Sequence, residues 1–293
     1  MAARRSGHGR PAVLVAIFYI FLWASAYVPS KIAAIQSPPL WFLSVRFLVA
    51  GSVLVILALT LRRPFPVTPQ RWLNVAVLGI FANVFYLGCT YIALQRMSSG
   101  MGAIIASTNP LVLSLVAPFF LHEPLGWKKL GGLLLGFGGV VGMIVARNGT
   151  PNALPVDIAF TFAGVLSSVT STIIFKRMAG EESLIVVTAL QLFSAGIVMI
   201  PLAWLVSGSP HATLTPQLIA SFVYLVLVIS VGASLIWFWL LTNGSASVVS
   251  AYYFLTPVFG LALGAVLLGE HVGWTDLGGL IAIAGGIALV QRA

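Results

Sequence analysis

The chain has 293 residues, of which 59% are hydrophobic and only 7% are charged, and its mean hydropathy is +1.06. Soluble domains carry about 25% charged residues, so this composition excludes a water-soluble domain and indicates a protein whose solvent is lipid. The single cysteine, Cys89, excludes an intrachain disulfide scaffold and a cysteine-rich metal site. The net charge of +9 comes mostly from short links between apolar runs, so it indicates membrane topology and argues against nucleic-acid binding.

Apolar runs of spanning length follow one another along the whole chain. Arg4 and Arg5 before the first run also fit a signal peptide, but its removal would leave nine spans and break the repeat described below. We therefore interpret the first run as an uncleaved helix. The predicted fold is an all-α integral membrane protein with ten spans at 13–35, 40–61, 71–94, 98–121, 129–147, 156–177, 183–207, 214–241, 245–268 and 275–291.

The basic residues predict the orientation of these spans. An even number of spans places both termini on the same side of the membrane. Eleven of the 15 Lys and Arg residues fall on that side, three fall on the opposite side, and Arg46 lies within the second span. Because Lys and Arg accumulate in cytoplasmic loops, both termini are predicted to be cytoplasmic.

An internal repeat relates the two halves of the chain at an offset of 147 residues. Residues 110–139 and 257–286 place Pro110 with Pro257, Glu123 with Glu270, and Trp127 with Trp274 in register. Each copy holds five spans, and an odd number forces the second copy to enter the membrane from the opposite side. We therefore predict two inverted five-helix repeats, 1–150 and 151–293, an organisation common in secondary transporters with a site at the repeat interface.

The segments LWASAYVPSK (22–31) and PPLWFLSVRFLVAG (38–51) precede halves that both close with a Glu, a Gly-Trp and paired glycines. With two five-helix halves, these features resemble EamA-type members of the drug/metabolite transporter superfamily, most nearly the YddG-type exporters of aromatic amino acids. The resemblance covers nearly the whole chain. It implies export of small metabolites across a bacterial inner membrane, through a central cavity lined by spans 1, 3, 4, 6, 8 and 9.

Polar and aromatic side chains recur on single faces of several spans. A proline follows polar residues at matched positions in spans 4 and 9, and interrupted spans at matched positions are a sequence indication of a transporter site. The alternative is hydrogen bonding between helices, which Ser, Thr and Asn often provide in membranes. The predicted substrate-binding residues are Trp23, Tyr27, Asn83, Tyr86, Thr90, Asn109, Ser168, Thr172, Ser234, Trp237, Tyr252, Tyr253 and Thr256.

Two cations in or near spans are candidates for contact with a substrate carboxylate. Arg46 could hold a carboxylate with two parallel hydrogen bonds, but the interpretation we favour is snorkelling to the interface or bonding to carbonyls at a helix end. Lys31 follows Pro29, which removes a backbone hydrogen bond and can open the first span. An interfacial anchor is an equal alternative for Lys31.

No acidic residue or histidine falls in the middle of a predicted span. A proton-coupled carrier commonly keeps a titratable group there, so the sequence favours downhill facilitation without a cofactor or metal. Sodium bound by carbonyls of a broken helix stays open. Glu123 and Glu270 lie in short links, and we interpret them as groups that bond the turn, with gating as the less favoured reading.

Small residues in spans 5 and 10 predict close helix packing. Gly132 and Gly136, then Gly138 and Gly142, have the small-xxx-small spacing that lets two backbones approach. They favour a helix interface, with a homodimer contact as one form of it.

The predicted function is export of small neutral or zwitterionic solutes, mainly aromatic and other apolar amino acids, by alternating access. The partners expected are these solutes and membrane lipid. The alternatives are export of other small metabolites or drugs, a membrane enzyme acting on lipid-linked substrates, and a sensor or assembly subunit. An enzyme would need clustered acids or histidines, which the predicted spans do not contain.

Overall fold

The computed structural model describes residues 10–96, 102, 105–106, 108–148, 154–178, 182–259, 262 and 273–293. Within these ranges the chain is all-helical, with no strand. The helices, numbered in chain order, are α1 (Ala12–Gln36), α2 (Pro39–Thr60), α3 (Pro69–Leu94), α4 (Asn109–Phe120), α5 (Trp127–Asn148), α6 (Pro155–Met178), α7 (Leu184–Ser207), α8 (Pro216–Asn243), α9 (Ala246–Phe259) and α10 (Trp274–Gln291).

Six of these helices, α1, α2, α3, α6, α7 and α8, are long and apolar enough to cross a membrane. Each begins and ends within two residues of a predicted span, so the prediction of an all-α chain with several spans is confirmed. Predicted spans 4 and 9 run into residues outside the described ranges. The count of ten spans and the inversion of the halves therefore stay predictions.

Proline marks the start of several helices. Pro39, Pro69, Pro155 and Pro216 occupy the first turns of α2, α3, α6 and α8, where a missing N–H costs nothing and the fixed φ suits the helix. Thr215 adds a cap to α8, since its hydroxyl oxygen accepts a hydrogen bond of 3.1 Å from the Leu218 amide.

Four helices are interrupted. α1 has a turn at Ala26, and α9 tightens to a 3-10 helix at Tyr252–Leu255, directly before the ring of Pro257. α3 and α8 contain π-helical segments at Ile80–Phe85 and Leu225–Ala233. Shifted by the repeat offset of 147, the first π segment falls at 227–232, inside the second. The two halves thus carry the same irregularity at the same place.

Two helix pairs pack with their backbones very close together. A Cβ added at Gly51 of α2 would lie 2.8 Å from the Phe193 backbone nitrogen of α7, and one added at Gly132 of α5 would lie 2.7 Å from the Gly286 carbonyl oxygen of α10. The predicted glycine interface of spans 5 and 10 therefore exists within the chain. Among the described residues, no atom lies within 4 Å of such a Cβ at Gly138 or Gly142, and a homodimer contact through them stays a prediction.

Candidate functional site

Two cavities lie side by side between helices of the first and second halves. Their empty volumes, which include the open space at their mouths, are about 620 and 630 Å³. Trp23, Arg46 and Tyr86 line both of them. A third, smaller cavity of about 330 Å³ shares Trp23 and Tyr86 with them. We call the three together the central cavity.

Most of the side chains predicted from sequence to bind substrate line the central cavity. They come from α1, α2, α3, α4, α6, α8 and α9, so residues far apart in the chain are brought together. These lining residues are Trp23, Tyr27, Arg46, Asn83, Tyr86, Thr90, Asn109, Ser168, Thr172, Ser234, Trp237, Tyr253 and Thr256.

Tyr252 and Lys31 are the two predicted residues that do not line the central cavity. The Tyr252 hydroxyl accepts a hydrogen bond from the Gln291 amide of α10. Consecutive residues of a helix face different directions, and of these two tyrosines it is Tyr253 that lines the cavity. The Lys31 ammonium donates to the Leu94 carbonyl at the end of α3. In this structure Lys31 ties the ends of two helices together.

Five aromatic rings from four helices form one cluster beside the central cavity: Tyr19, Trp23, Tyr86, Trp237 and Tyr253. The ring centroids of Tyr19 and Trp237 lie 5.3 Å apart, and those of Trp237 and Tyr253 lie 5.4 Å apart. The Tyr19 and Tyr253 hydroxyls share a hydrogen bond of 2.6 Å. These separations are those of favourable ring pairs, and the cluster offers flat apolar surfaces with polar edges.

Arg46 is buried in the wall of the central cavity, with 3% of its surface exposed. Its Nε donates to the Ser230 hydroxyl at 2.8 Å, and its Nη1 donates to the Tyr91 hydroxyl at 3.0 Å. Tyr91 in turn donates to the Ser30 hydroxyl at 2.7 Å. The favoured sequence interpretation of Arg46 is therefore wrong, because the side chain does not snorkel to the interface and its bonds go to side-chain hydroxyls.

The structure adds lining residues that the sequence interpretation missed. Gln191 of α7 and Phe47 of α2 line the second cavity, although the family resemblance implied no lining from spans 2 and 7. Gln191 accepts a hydrogen bond from the Asn83 amide. The sequence did contain an indication of Gln191, because it is an amide inside an otherwise apolar span, where a polar side chain needs a hydrogen-bond partner. Tyr19 was also detectable, four residues before Trp23 on the same helix face.

Backbone oxygens of both π segments accept hydrogen bonds from serine hydroxyls. The Ser167 hydroxyl of α6 donates to the Phe81 carbonyl at 2.7 Å, and the Ser234 hydroxyl donates to the Ile229 carbonyl at 3.4 Å. Both carbonyls belong to π-helical residues, and single π turns occur frequently at functional sites. Thr256 carries a buried hydroxyl for which the described part of the chain provides no partner.

None of the acidic side chains that the structure describes lines the central cavity. Asp157, fully buried at the start of α6, accepts a hydrogen bond of 2.8 Å from Arg96, and this bond raises the pKa of the Arg96 guanidinium. Glu182 pairs with Arg71 at 3.2 Å. Across the described ranges, no three His, Cys, Asp or Glu residues are grouped to hold a metal ion.

Polar contacts join several helices at the end of the molecule where α4, α6 and α8 end. Glu123, after α4, accepts hydrogen bonds from the Ala246 and Ser247 amides at 2.7 and 3.1 Å and from the Ser247 hydroxyl at 2.7 Å. Lys176 of α6 donates to the Leu241 and Gly244 carbonyls at 2.9 and 2.8 Å. We call these the closing contacts. Glu123 thus bonds the start of α9 in the other half, while Glu270 lies outside the described residues.

The central cavity extends away from the closing contacts. Ser30 and Leu94, near the ends of α1 and α3, and Thr161, near the start of α6, line its first part. Thr161 lies at the end of α6 opposite to Lys176, which takes part in the closing contacts. The closing contacts and this part of the cavity therefore lie toward opposite ends of the molecule.

Comparison with known proteins gives a family match over nearly the whole chain. The EamA-like transporter family matches twice, at residues 10–145 and 157–292. A crystal structure of a protein with 20% sequence identity superposes with a TM-score of 0.76 over 95% of this chain and 96% of that one. That likeness shows a shared fold.

Related proteins are similar along most of their length. An uncharacterised transporter of Bacillus subtilis, YvbV, is 29% identical over 96% of this chain and 92% of its own. An uncharacterised inner membrane transporter of Escherichia coli, YedA, is 28% identical, with 91% and 87% covered. Protein PecM of Dickeya dadantii is 26% identical, with 92% and 89% covered.

Proposed function

The chain belongs to the EamA-like transporter family, and from that premise we propose that it exports amino acids with aromatic or other apolar side chains. The family and the names of its relatives are those of transporters. The observation that carries the choice of substrate is the aromatic cluster, which lies beside amides and hydroxyls in the central cavity. Flat apolar walls suit the side chain of such a solute, and the polar groups suit its amino and carboxylate groups.

The proposed mechanism is alternating access between two inverted five-helix halves, 1–150 and 151–293. Support comes from the sequence repeat and from the π segments at matched positions. Among the closing contacts, those of Glu123 link the first half to the second at one end of the molecule, while those of Lys176 lie within the second half. Rocking of the halves would break the Glu123 contacts and open the cavity at that end, as repeat-based transporters do.

The proposed setting is a bacterial inner membrane with both termini in the cytoplasm. The excess of Lys and Arg on the side of the termini supports this orientation. Under it, the closing contacts lie at the cytoplasmic end. The proposed transport is downhill, because none of the described acidic side chains lines the cavity to offer a proton relay there.

The test is counterflow of a radiolabelled amino-acid panel in proteoliposomes, with and without a pH or sodium gradient. We expect saturable counterflow of phenylalanine, tryptophan and leucine that neither gradient changes. Gradient-driven accumulation would contradict downhill transport. Counterflow of apolar drugs without counterflow of any amino acid would replace the proposed substrate class with the alternative one.

A further inference from the structure

Arg46 is a buried cation without an anionic partner in the described part of the chain. Its two hydrogen bonds go to the neutral hydroxyls of Ser230 and Tyr91, and the ion pairs there involve Arg71 and Arg96. A charge inside a membrane protein is costly unless an opposite charge or water compensates it. A bound anion would therefore compensate the positive charge of Arg46, which no described acidic side chain does.

The guanidinium also keeps donors for a ligand. It has five N–H groups in a fixed fork, and Ser230 and Tyr91 take one each. Arg46 lines both large parts of the central cavity, so a solute in that space would lie beside this side chain. A carboxylate is the anion that such a fork binds best, with two parallel charge-assisted hydrogen bonds.

The surroundings of Arg46 define the rest of the ligand. Trp23, Tyr86 and Leu87 line the same two parts of the cavity as Arg46. A carboxylate on Arg46 would therefore have its attached apolar or aromatic group against these side chains. The described acids, Asp157, Glu123 and Glu182, bind other groups. The described cavity wall therefore has a cation, Arg46, to pair with a carboxylate, and it has no anion to pair with an ammonium group.

We propose that Arg46 binds the substrate carboxylate and that the α-amino group is dispensable, so the substrates are apolar monocarboxylates with or without that group. This inference rests on the proposed transport function and makes it more specific. Arg46 is held in position by Ser230 of α8 and by Tyr91 of α3, which Ser30 of α1 bonds in turn. Helices of both halves thus position the same carboxylate site.

Three related solutes test the proposal in the wild-type protein. Phenylalanine has both groups, 3-phenylpropanoate lacks the amino group, and phenylalaninamide lacks the carboxylate. We expect the first two to compete for phenylalanine counterflow at similar concentrations. Phenylalaninamide should be weaker by roughly tenfold or more, since charge-assisted hydrogen bonds are lost. Equal competition by phenylalaninamide would overturn the proposal.

Variants assign the effect to Arg46. Arg46→Gln should weaken both carboxylates by roughly tenfold or more and leave phenylalaninamide unchanged. Arg46→Lys keeps the charge but loses the two-pronged geometry, so its effect should be in the same direction and smaller. Arg63→Gln, which removes an exposed cation after α2, is the matched control. A folded Arg46→Gln protein with wild-type carboxylate preference would overturn the proposal, and Arg46→Lys takes its place if Arg46→Gln does not fold.

A binding measurement separates this proposal from the transport function. Trp23 and Trp237 lie at the cavity, so quenching of tryptophan fluorescence reports binding without flux. Binding of 3-phenylpropanoate that Arg46→Gln abolishes, in protein that shows no counterflow, would contradict the transport function and support the carboxylate site. Phenylalanine counterflow that is unchanged in Arg46→Gln would support the transport function and contradict the carboxylate site.

Discussion

At the scale of single residues, the amides of Asn83 and Gln191 illustrate how polar groups are held in this membrane interior. Both side chains are buried, and Asn83 donates to Gln191 and to the Gly79 carbonyl at 3.3 Å. Asn83→Ala would leave the Gln191 oxygen buried without this donor, which typically costs about 1–3 kcal/mol. We expect a lower midpoint of thermal unfolding in detergent.

Thr170→Ala is the control for Asn83→Ala. The Thr170 hydroxyl donates to the Leu166 carbonyl of its own helix, so its removal orphans no side chain, and we expect little change in the midpoint. The double variant Asn83→Ala with Gln191→Ala should recover part of the loss, because both partners are then removed. Additive effects of the two substitutions would contradict a pairwise hydrogen bond.

At the scale of residues, the sequence predicted which residue types line the cavity better than it predicted which way each side chain points. The spacing of aromatic and hydroxyl side chains was enough to select Trp23, Trp237 and Tyr253. It could not distinguish Tyr253 from Tyr252, because the 3-10 turn before Pro257 sets which ring faces the cavity. The depth of Arg46 predicted snorkelling, and only the positions of Ser230 and Tyr91 show why the side chain stays inside.

At the scale of helices, the close approach of α5 and α10 gives a matched pair of glycine variants. A Cβ at Gly286 would lie 2.5 Å from the Gly132 carbonyl oxygen, whereas one at Gly278 would have no atom of the described residues within 4 Å. Gly286→Ala must push two backbones apart and should cost roughly 1–3 kcal/mol of stability. Gly278→Ala lies on the same helix and should be neutral or slightly stabilising. Equal unfolding midpoints for the two variants would contradict this packing.

The closing contact of Glu123 is a second test at the helix scale. Its carboxylate accepts three hydrogen bonds from Ala246 and Ser247 at the start of α9, where negative charge is favourable. Glu123→Gln should lower the stability by about 0.5–2 kcal/mol, the usual range for loss of a helix cap. The midpoint of thermal unfolding measures the effect.

Glu182→Gln is the comparison for Glu123→Gln. Glu182 pairs with Arg71, whose side chain is 40% exposed, and exposed ion pairs contribute about 1 kcal/mol or less. Glu182→Gln should therefore shift the midpoint less than Glu123→Gln does. A larger shift for Glu182→Gln would show that Glu123 does not hold α9.

The helix bounds were predictable, and the irregularities inside the helices were not. Apolar runs and prolines at first turns gave the ends of the six long helices within two residues. The π segments contain no proline. Local sequence therefore gave no indication of the two carbonyls in these segments that accept bonds from Ser167 and Ser234.

At the scale of the whole molecule, the repeat offset relates the polar groups that support the cavity. Asn83 of α3 and Ser230 of α8 are separated by 147 residues, and each lies within the π segment of its helix. Asn83 bonds Gln191 of α7, and Ser230 accepts a bond from Arg46 of α2. Each half therefore ties its cavity helix to the second helix of the other half, which couples the two halves at the proposed binding site.

The most direct test of the account is phenylalanine counterflow by Trp237→Ala beside Trp274→Ala. Trp237 lies in the aromatic cluster and lines the cavity, while Trp274 is 88% exposed at the start of α10. If the central cavity carries the substrate, Trp237→Ala should raise the KM for phenylalanine by roughly tenfold or more, from the ring contact and apolar area lost, and Trp274→Ala should match the wild type. Identical KM values for wild type, Trp237→Ala and Trp274→Ala would contradict transport through this cavity.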